Sequence, residues 1–159
     1  MRSRATRNLT ILAAAAGSAA LLLGALGFQY LGGLAPCHLC YLQRWPHLAA
    51  VLIGLAALKV RGRTLPFLGM LAALATAGVG LYHTAVERHW VAGPDSCTSG
   101  DVGAVSAAEL LRRLEGAALV QCDQVAWSWL GLSMASWNAI ASLVLAGVWL
   151  HALRLSRAA

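Results

Sequence analysis

Residues 65–86 read LPFLGMLAALATAGVGLYHTAV, a run without one charged side chain. The hydrocarbon core of a bilayer is about 30 Å thick and takes roughly 20 helical residues to cross. Inside lipid every backbone N–H and C=O has to be paired within the chain, so a run of this kind is a helix. Three further runs read the same way, at 9–28, 43–58 and 132–153. The second is short and gains spanning length when extended back to Cys40. The whole composition agrees: 59% of the residues are apolar and 11% charged, against roughly 25% charged in soluble domains, and the mean hydropathy is +0.67. So few charges cannot keep the surface of a soluble globule polar, which excludes a soluble enzyme, a disordered segment and a nucleic-acid-binding module. Gly17, Gly24, Gly69, Gly78 and Gly147 lie within the runs and suit close helix–helix approach in lipid. The predicted fold is an all-α membrane protein, one four-helix transmembrane bundle over residues 1–159, with membrane lipid as its surroundings.

The net charge of +6 is explained by membrane side, without a nucleic-acid partner. Arg2, Arg4, Arg7, Lys59, Arg61, Arg63, Arg154 and Arg157 fall on one side of four spans, with no acidic residue among them. The other side holds Arg44, Arg88, Arg112 and Arg113 together with all the acids: Glu87, Asp95, Asp101, Glu109, Glu115 and Asp123. The positive-inside rule then predicts that both termini are cytoplasmic. A signal peptide competes for residues 2–27, but the apolar run is long for one, and its removal would leave three spans and break the charge pattern. An uncleaved first helix is expected. The outward loops are 29–42 and 87–131. In the second, Ser106 and Glu109 form a capping-box pattern ahead of Leu110, Leu111, Leu114 and Ala118. That pattern predicts a short amphipathic helix, lying on the membrane surface or packed on its own loop.

All four cysteines fall on the outward side, Cys37 and Cys40 in the first loop and Cys97 and Cys122 in the second. In a Gram-negative cell that side is the periplasm, where disulfides persist. Four cysteines allow three pairings, and spacing favours Cys37 with Cys40 and Cys97 with Cys122. Two structural staples are one reading, and they would make the protein a non-catalytic membrane scaffold. For the first pair that reading is poor, because a bridge across two residues constrains the unfolded chain very little. Cys-x-x-Cys is the spacing of thiol–disulfide exchange, in which one thiolate is placed to expel the other from a mixed disulfide. Zinc needs four well-placed ligands. With His38 and His47 as the nearby histidines, Cys97 and Cys122 would have to leave their loop, and no metal is expected.

Arg44 follows Cys40 by four residues, so a helix starting near Cys40 puts its guanidinium on the same face as the thiol. A cation and a helix N-terminus both favour the thiolate. Alone, Arg44 is a snorkelling interface residue; the adjacent cysteine turns the reading towards chemistry. Tyr41 and Trp45 lie at the same depth; taken alone they are interface-belt aromatics, and taken with the thiolate they could wall a planar ring. A dithiol that is repeatedly reoxidised needs an electron acceptor. The sequence has no dinucleotide-binding glycine pattern, no haem-attachment motif and no iron–sulfur spacing. A quinone dissolved in the bilayer is the acceptor that requires no binding domain.

Taken in order, Cys-His-Leu-Cys-Tyr-Leu-Gln-Arg at 37–44, Tyr82-His83-Thr84, Cys97, Cys122, Trp127 with Leu130-Gly131-Leu132, and Trp137 resemble the DsbB family. These are bacterial inner-membrane, quinone-dependent thiol oxidases (disulfide bond formation protein B), and the resemblance runs from the first span to the last. It implies a route for electrons. A DsbA-like periplasmic thiol oxidase attacks the Cys97–Cys122 disulfide and forms a mixed disulfide at Cys97. Cys122 then attacks Cys37, and Cys40 is released as a thiolate beside a membrane quinone, ubiquinone or menaquinone, with Arg44 and His83 as quinone contacts. His38, His47, His89 and His151 match no part of the pattern. The family often carries a proline shortly before the tryptophan matching Trp137, where this chain has Ala135, leaving the start of the fourth helix open. The vitamin K epoxide reductases use similar chemistry on four helices, but with Cys-x-x-Cys at the end of a late helix, so the order here favours DsbB.

Overall fold

Each of the four apolar runs becomes a helix, and the ends of the helices are set by polar residues outside the runs. In the computed structural model, which describes residues 2–94, 97 and 120–156, the helices are α1 (Arg2–Tyr30), α2 (His38–Lys59), α3 (Thr64–Glu87) and α4 (Met134–Leu155). The amphipathic helix expected around 106–118 lies outside the described residues. Helix α1 packs on α2 and α4, and α3 packs on the same two, closing a four-membered ring. Among the described residues three helices are long and apolar enough to cross a membrane, at Arg4–Tyr30, Thr64–Glu87 and Met134–Leu155. Helix α2 has the length, but carries Gln43, Arg44, Pro46 and His47 in its first turns. The chain is a multi-pass membrane protein.

The distribution of side chains is that of a protein solvated by lipid. Large apolar residues such as Leu23, Leu52, Leu71, Leu81 and Val144 point outwards, while the interior collects alanines and the buried polar residues Ser18, Gln43, His47, Thr76 and Ser142. Lipid tails are as apolar as leucine, so helices associate through close packing and internal hydrogen bonds. The packing is tightest around Trp149, which is fully buried and lies flat against Gly69, where a Cβ would fall 2.6 Å from the indole. Gly54 meets Ala15 in the same way, and Gly17 meets Leu145. Gly24, Gly78 and Gly147 have open space at the Cβ position, so only Gly17 and Gly69 of the five glycines expected at contacts are there.

At the basic end Arg7 is buried and donates to Ser156 Oγ (3.0 Å) and to the carbonyls of Ala57, Val60 and Gly62. A cation at the last carbonyls of α2 satisfies orphan acceptors and the negative end of the helix dipole. At the other end a short hairpin precedes α4, with β1 (Ser128–Trp129) antiparallel to β2 (Leu132–Ser133). Its turn residues Leu130 and Gly131 have φ of 53° and 75°, the two positive values a two-residue hairpin turn requires. Trp137 Nε1 donates to the Trp129 carbonyl (3.1 Å) and fastens the hairpin to the helix. Ser133 caps α4, its hydroxyl accepting from Ser136 N. The fourth helix therefore starts at Met134, two residues later than its apolar run, without a proline.

Candidate functional site

The first cysteine pair is built into the start of α2. Cys37 is the N-cap residue, with extended backbone, and its sulfur accepts from the backbone N–H of Cys40. The Cys37 and Cys40 sulfurs lie 2.8 Å apart, unbonded. Helix α2 thus begins at His38, two residues before Cys40, and the cap is a thiol in place of the usual hydroxyl or carboxamide. Both cysteines precede the 43–58 run that is expected to span the membrane. Ahead of that run the Cys40 thiol is held down to about 7 by its hydrogen bond with the Cys37 sulfur, with the Cys37 backbone and Arg44 adding to the effect against burial. The shared hydrogen bond, burial and the Cys40 charge push Cys37 strongly up. One sulfur is favoured as the thiolate and the other as the thiol that supports it.

The second pair is a disulfide, Cys97–Cys122, joining residues 25 apart in sequence. The backbone N–H of Cys122 donates to the Cys97 carbonyl. Both cysteines are buried, and they form one cluster with Cys37, Leu39 and Val86, against which Cys40 and Val120 pack. The two pairs, far apart in the chain, meet at one place.

His83 connects this cluster to the bundle interior. It is buried on α3, with Nε2 3.6 Å from Cys37 Sγ and Nδ1 2.9 Å from Gln43 Nε2. Glu87, one turn on, brings Oε1 to 3.8 Å from His83 Nε2. The donor atoms of Cys37, Cys40 and His83 all lie within 4.8 Å of one another. Three donors are one short of a closed zinc site, and a Cys37–Cys40 disulfide would withdraw two of them. Neither His38 nor His47 belongs to the group.

Cys37, Cys40, Gln43, Arg44, His47, His83, Glu87 and Asn138 share the wall of a cavity of about 390 Å³. The remaining wall is mostly apolar and includes Phe28, Trp127, Trp129 and Trp137. Phe28 and Trp127 stand 5.2 Å apart between ring centroids, Trp129 and Trp137 5.4 Å. Arg44 is anchored on α1, donating to Gln29 Oε1 (2.6 Å) and the Ala25 carbonyl (3.4 Å), with its guanidinium 5.1 Å from the Tyr41 ring centroid. Tyr41 and Trp45 are exposed and are not part of the cavity wall, contrary to the expectation that they flank a ring. At 100° per residue the face carrying Cys40, Gln43, Arg44 and His47 turns Tyr41 and Trp45 away from it. The structure thus gathers Cys37, Cys40, Arg44 and His83 around one space, with the Cys97–Cys122 disulfide packed on Cys37. It adds Gln43, His47, Glu87, Asn138, Phe28 and Trp129, to which the sequence reading gave no role in a site, and Trp127 and Trp137, which it named only as part of the family pattern. For Gln43 and His47 a signal was present, since they follow Cys40 by three and seven residues, the spacing of one helix face.

This chain matches the family model described as disulfide bond formation protein DsbB over residues 7–152. Three curated relatives are each named Disulfide bond formation protein B. That from Methylococcus capsulatus is 37% identical, the match covering 79% of this chain and 80% of the relative. That from Aromatoleum aromaticum is 33% identical, over 78% and 81%, and that from a Polaromonas species 31% identical, over 80% and 79%. No solved structure matches. With four helices, a Cys-x-x-Cys at the head of the second, and a second cysteine pair packed against it, the chain belongs to the DsbB family of disulfide bond formation proteins.

Proposed function

We propose that this protein is a membrane thiol oxidase that reoxidises a DsbA-like periplasmic dithiol oxidase and passes the electrons through its two cysteine pairs to a membrane quinone, ubiquinone or menaquinone. It lies in the bacterial inner membrane as one transmembrane domain, with both termini cytoplasmic and all four cysteines on the periplasmic side. The observation that carries this reading is the packing of the buried Cys97–Cys122 disulfide on Cys37, with Cys40 beside Cys37 on the wall of a largely apolar cavity.

The residues fit a quinone. Aromatic and aliphatic walls with a few converging polar groups are the make-up of a small-molecule site, and Arg44, His83 and Gln43 supply those groups here. Arg44 and His83 would hold the quinone, which when bound supplies an acceptor for two electrons and two protons. The sulfur steps follow from thiol–disulfide exchange. A thiolate of the reduced partner attacks Cys97, the Cys97–partner bond forms, and the Cys97–Cys122 bond breaks with Cys122 as leaving group. The partner's second thiol then closes its own disulfide and releases Cys97. Cys122 attacks Cys37 of the oxidised first pair, the Cys37–Cys122 bond forms, and Cys40 leaves as a thiolate. Cys97 then attacks Cys122, restoring the Cys97–Cys122 disulfide and releasing Cys37, so that the reduced first pair holds the two electrons. The Cys40 thiolate is a good leaving group because Arg44 favours the anion. Each partner dithiol oxidised to a disulfide gives up two electrons and two protons.

The test is to mix the purified protein with reduced DsbA-like oxidase and decylubiquinone, following the ring absorbance and the partner's thiols together. One ring reduced per partner disulfide formed supports the reading. A protein that keeps both disulfides and reduces no ring would be the stapled scaffold instead. The orientation is checked separately with a membrane-impermeant maleimide on spheroplasts. Arg61→Cys, in the exposed α2–α3 turn, should react only after lysis.

A further inference from the structure

Beyond Cys37 the hydrogen bonds run on through the bundle, and one backbone group sets the direction of the whole series. Gln43 Nε2 lies 3.3 Å from the Leu39 carbonyl, which can only accept, so the amide nitrogen of Gln43 is fixed on that side. The same nitrogen donates to His83 Nδ1, and Gln43 Oε1 accepts from Asn138 Nδ2 (2.6 Å). Asn138 Nδ2 also donates to Thr76 Oγ1 (3.2 Å), whose own proton goes to the Gln43 carbonyl (3.1 Å). Asn138 Oδ1 is left to accept, and it faces His47 Nε2 at 2.9 Å. Ser142 Oγ stands 3.5 Å from the same nitrogen. Every donor in this series meets an acceptor in one orientation only.

Two tautomers follow. His83 accepts at Nδ1 and therefore carries its proton on Nε2, the nitrogen beside Cys37 Sγ and Glu87. His47 donates from Nε2 and, as a neutral ring, presents a bare lone pair at Nδ1. That atom is buried and has no hydrogen-bond partner among the described residues, on a side chain that is 3% exposed and lines the cavity. A buried acceptor left unpaired is costly, and the missing partner has to be a donor. His47 follows Cys40 by seven residues, so it sits two turns, about 10 Å, further along α2.

We infer that His47 is a further ligand-binding residue of this cavity, taking a hydrogen bond at Nδ1 from a ring hydroxyl, so that the site selects the hydroxylated, reduced form of a quinone ring. The inference rests on the reading of the cavity as a quinone site. A ring carbonyl brings no proton and leaves Nδ1 unpaired, whereas a phenolic hydroxyl satisfies it.

The experiment compares two ligands of nearly the same shape, decylhydroquinone under nitrogen and its dimethyl ether, by equilibrium tryptophan-fluorescence titration of the disulfide-oxidised protein in detergent. Wild type should bind the hydroquinone about tenfold more tightly than the ether, the worth of one buried hydrogen bond of about 1.4 kcal/mol. His47→Leu should lose that preference and leave ether affinity within about twofold of wild type. A measurement that needs no substitution is the ¹⁵N spectrum of histidine-labelled wild type, in which His47 Nδ1 should resonate as an unprotonated nitrogen and shift when the hydroquinone binds. An unchanged preference in His47→Leu, or a His47 Nδ1 signal that is protonated or indifferent to the hydroquinone, would overturn the assignment while leaving the quinone site standing. Wild type binding neither ligand would remove the quinone site, and this inference with it.

Discussion

The two cysteine pairs touch in space and are held in opposite ways. Cys37 and Cys40 belong to the cap and first turn of a 22-residue helix, and their geometry is that of the helix itself. Cys97 and Cys122 sit in the long connection between α3 and the hairpin, joined to each other across 25 residues and packed on Cys37, Leu39 and Val86. In the chain-entropy picture a loop of that length gives a disulfide about 3.5 kcal/mol of stabilisation, and a three-residue closure about half as much. On the proposed function the second pair would both staple and react, whereas the first would serve mainly by reactivity. On the proposed function, a fixed pair tuned by its shared hydrogen bond and a cation, next to a pair on a connecting segment, would divide the work of a carrier between a soluble partner and a membrane acceptor.

The largest effects should come from removing a sulfur. Cys97→Ser and Cys40→Ser are both expected to bring steady-state oxidation of the partner to background, because the links act in series. They should differ in what accumulates: Cys40→Ser keeps a trappable mixed disulfide between Cys97 and the partner, and Cys97→Ser loses it. Non-reducing gels after acid quench read the difference directly. If Cys97→Ser kept most of its turnover, the second pair would be a staple and the contrast between the pairs would be merely structural.

A smaller effect is expected at Arg44. Its anchorage to Gln29 and Ala25 on α1 sets the guanidinium beside Cys40 on the cavity wall. Arg44→Ala should weaken apparent quinone affinity by about tenfold, the loss of a charge-assisted hydrogen bond. Arg44→Lys keeps the charge without the planar fork and should lose less. Equal, unchanged affinities would return Arg44 to anchoring α1.

The mildest test sharpens the contrast within the first pair. Cys40 is lowered to about 7, so in the reduced protein its thiolate forms as pH rises through about 7 and is lost below it. Iodoacetamide alkylation of Cys40 should rise to half its plateau near pH 7, while Cys37, pushed up by the same shared hydrogen bond, stays unreactive there. Peptide mass spectrometry separates the two. Equal reactivity at neutral pH would mean that the helix start makes no distinction between them.

Helix number and the grouping of the cysteines were legible because each is a local property of the sequence: uncharged runs and a two-residue spacing. The start of α4 was not, since it depends on the Ser133 cap and on a hairpin closed by Leu130 and Gly131, both short-range features that an apolar count ignores. Tyr41 and Trp45 were misplaced because depth was read without helix phase. The relay of Gln43, Thr76, Asn138 and His47 was out of reach for a different reason. Its members lie on α2, α3 and α4, up to 95 residues apart, and each alone is an unremarkable polar residue in an apolar helix.

Direct exchange between the two pairs is the claim on which everything else depends, and the double variant Cys40→Ser/Cys97→Ser tests it most simply. Only Cys37 and Cys122 then remain, one from each pair. Air oxidation of the purified variant, followed by digestion and non-reducing mass spectrometry, should yield a Cys37–Cys122 linked peptide in near-stoichiometric amount. Two free thiols that stay apart under the same conditions would contradict the account, because the pairs would then be neighbours that do not react.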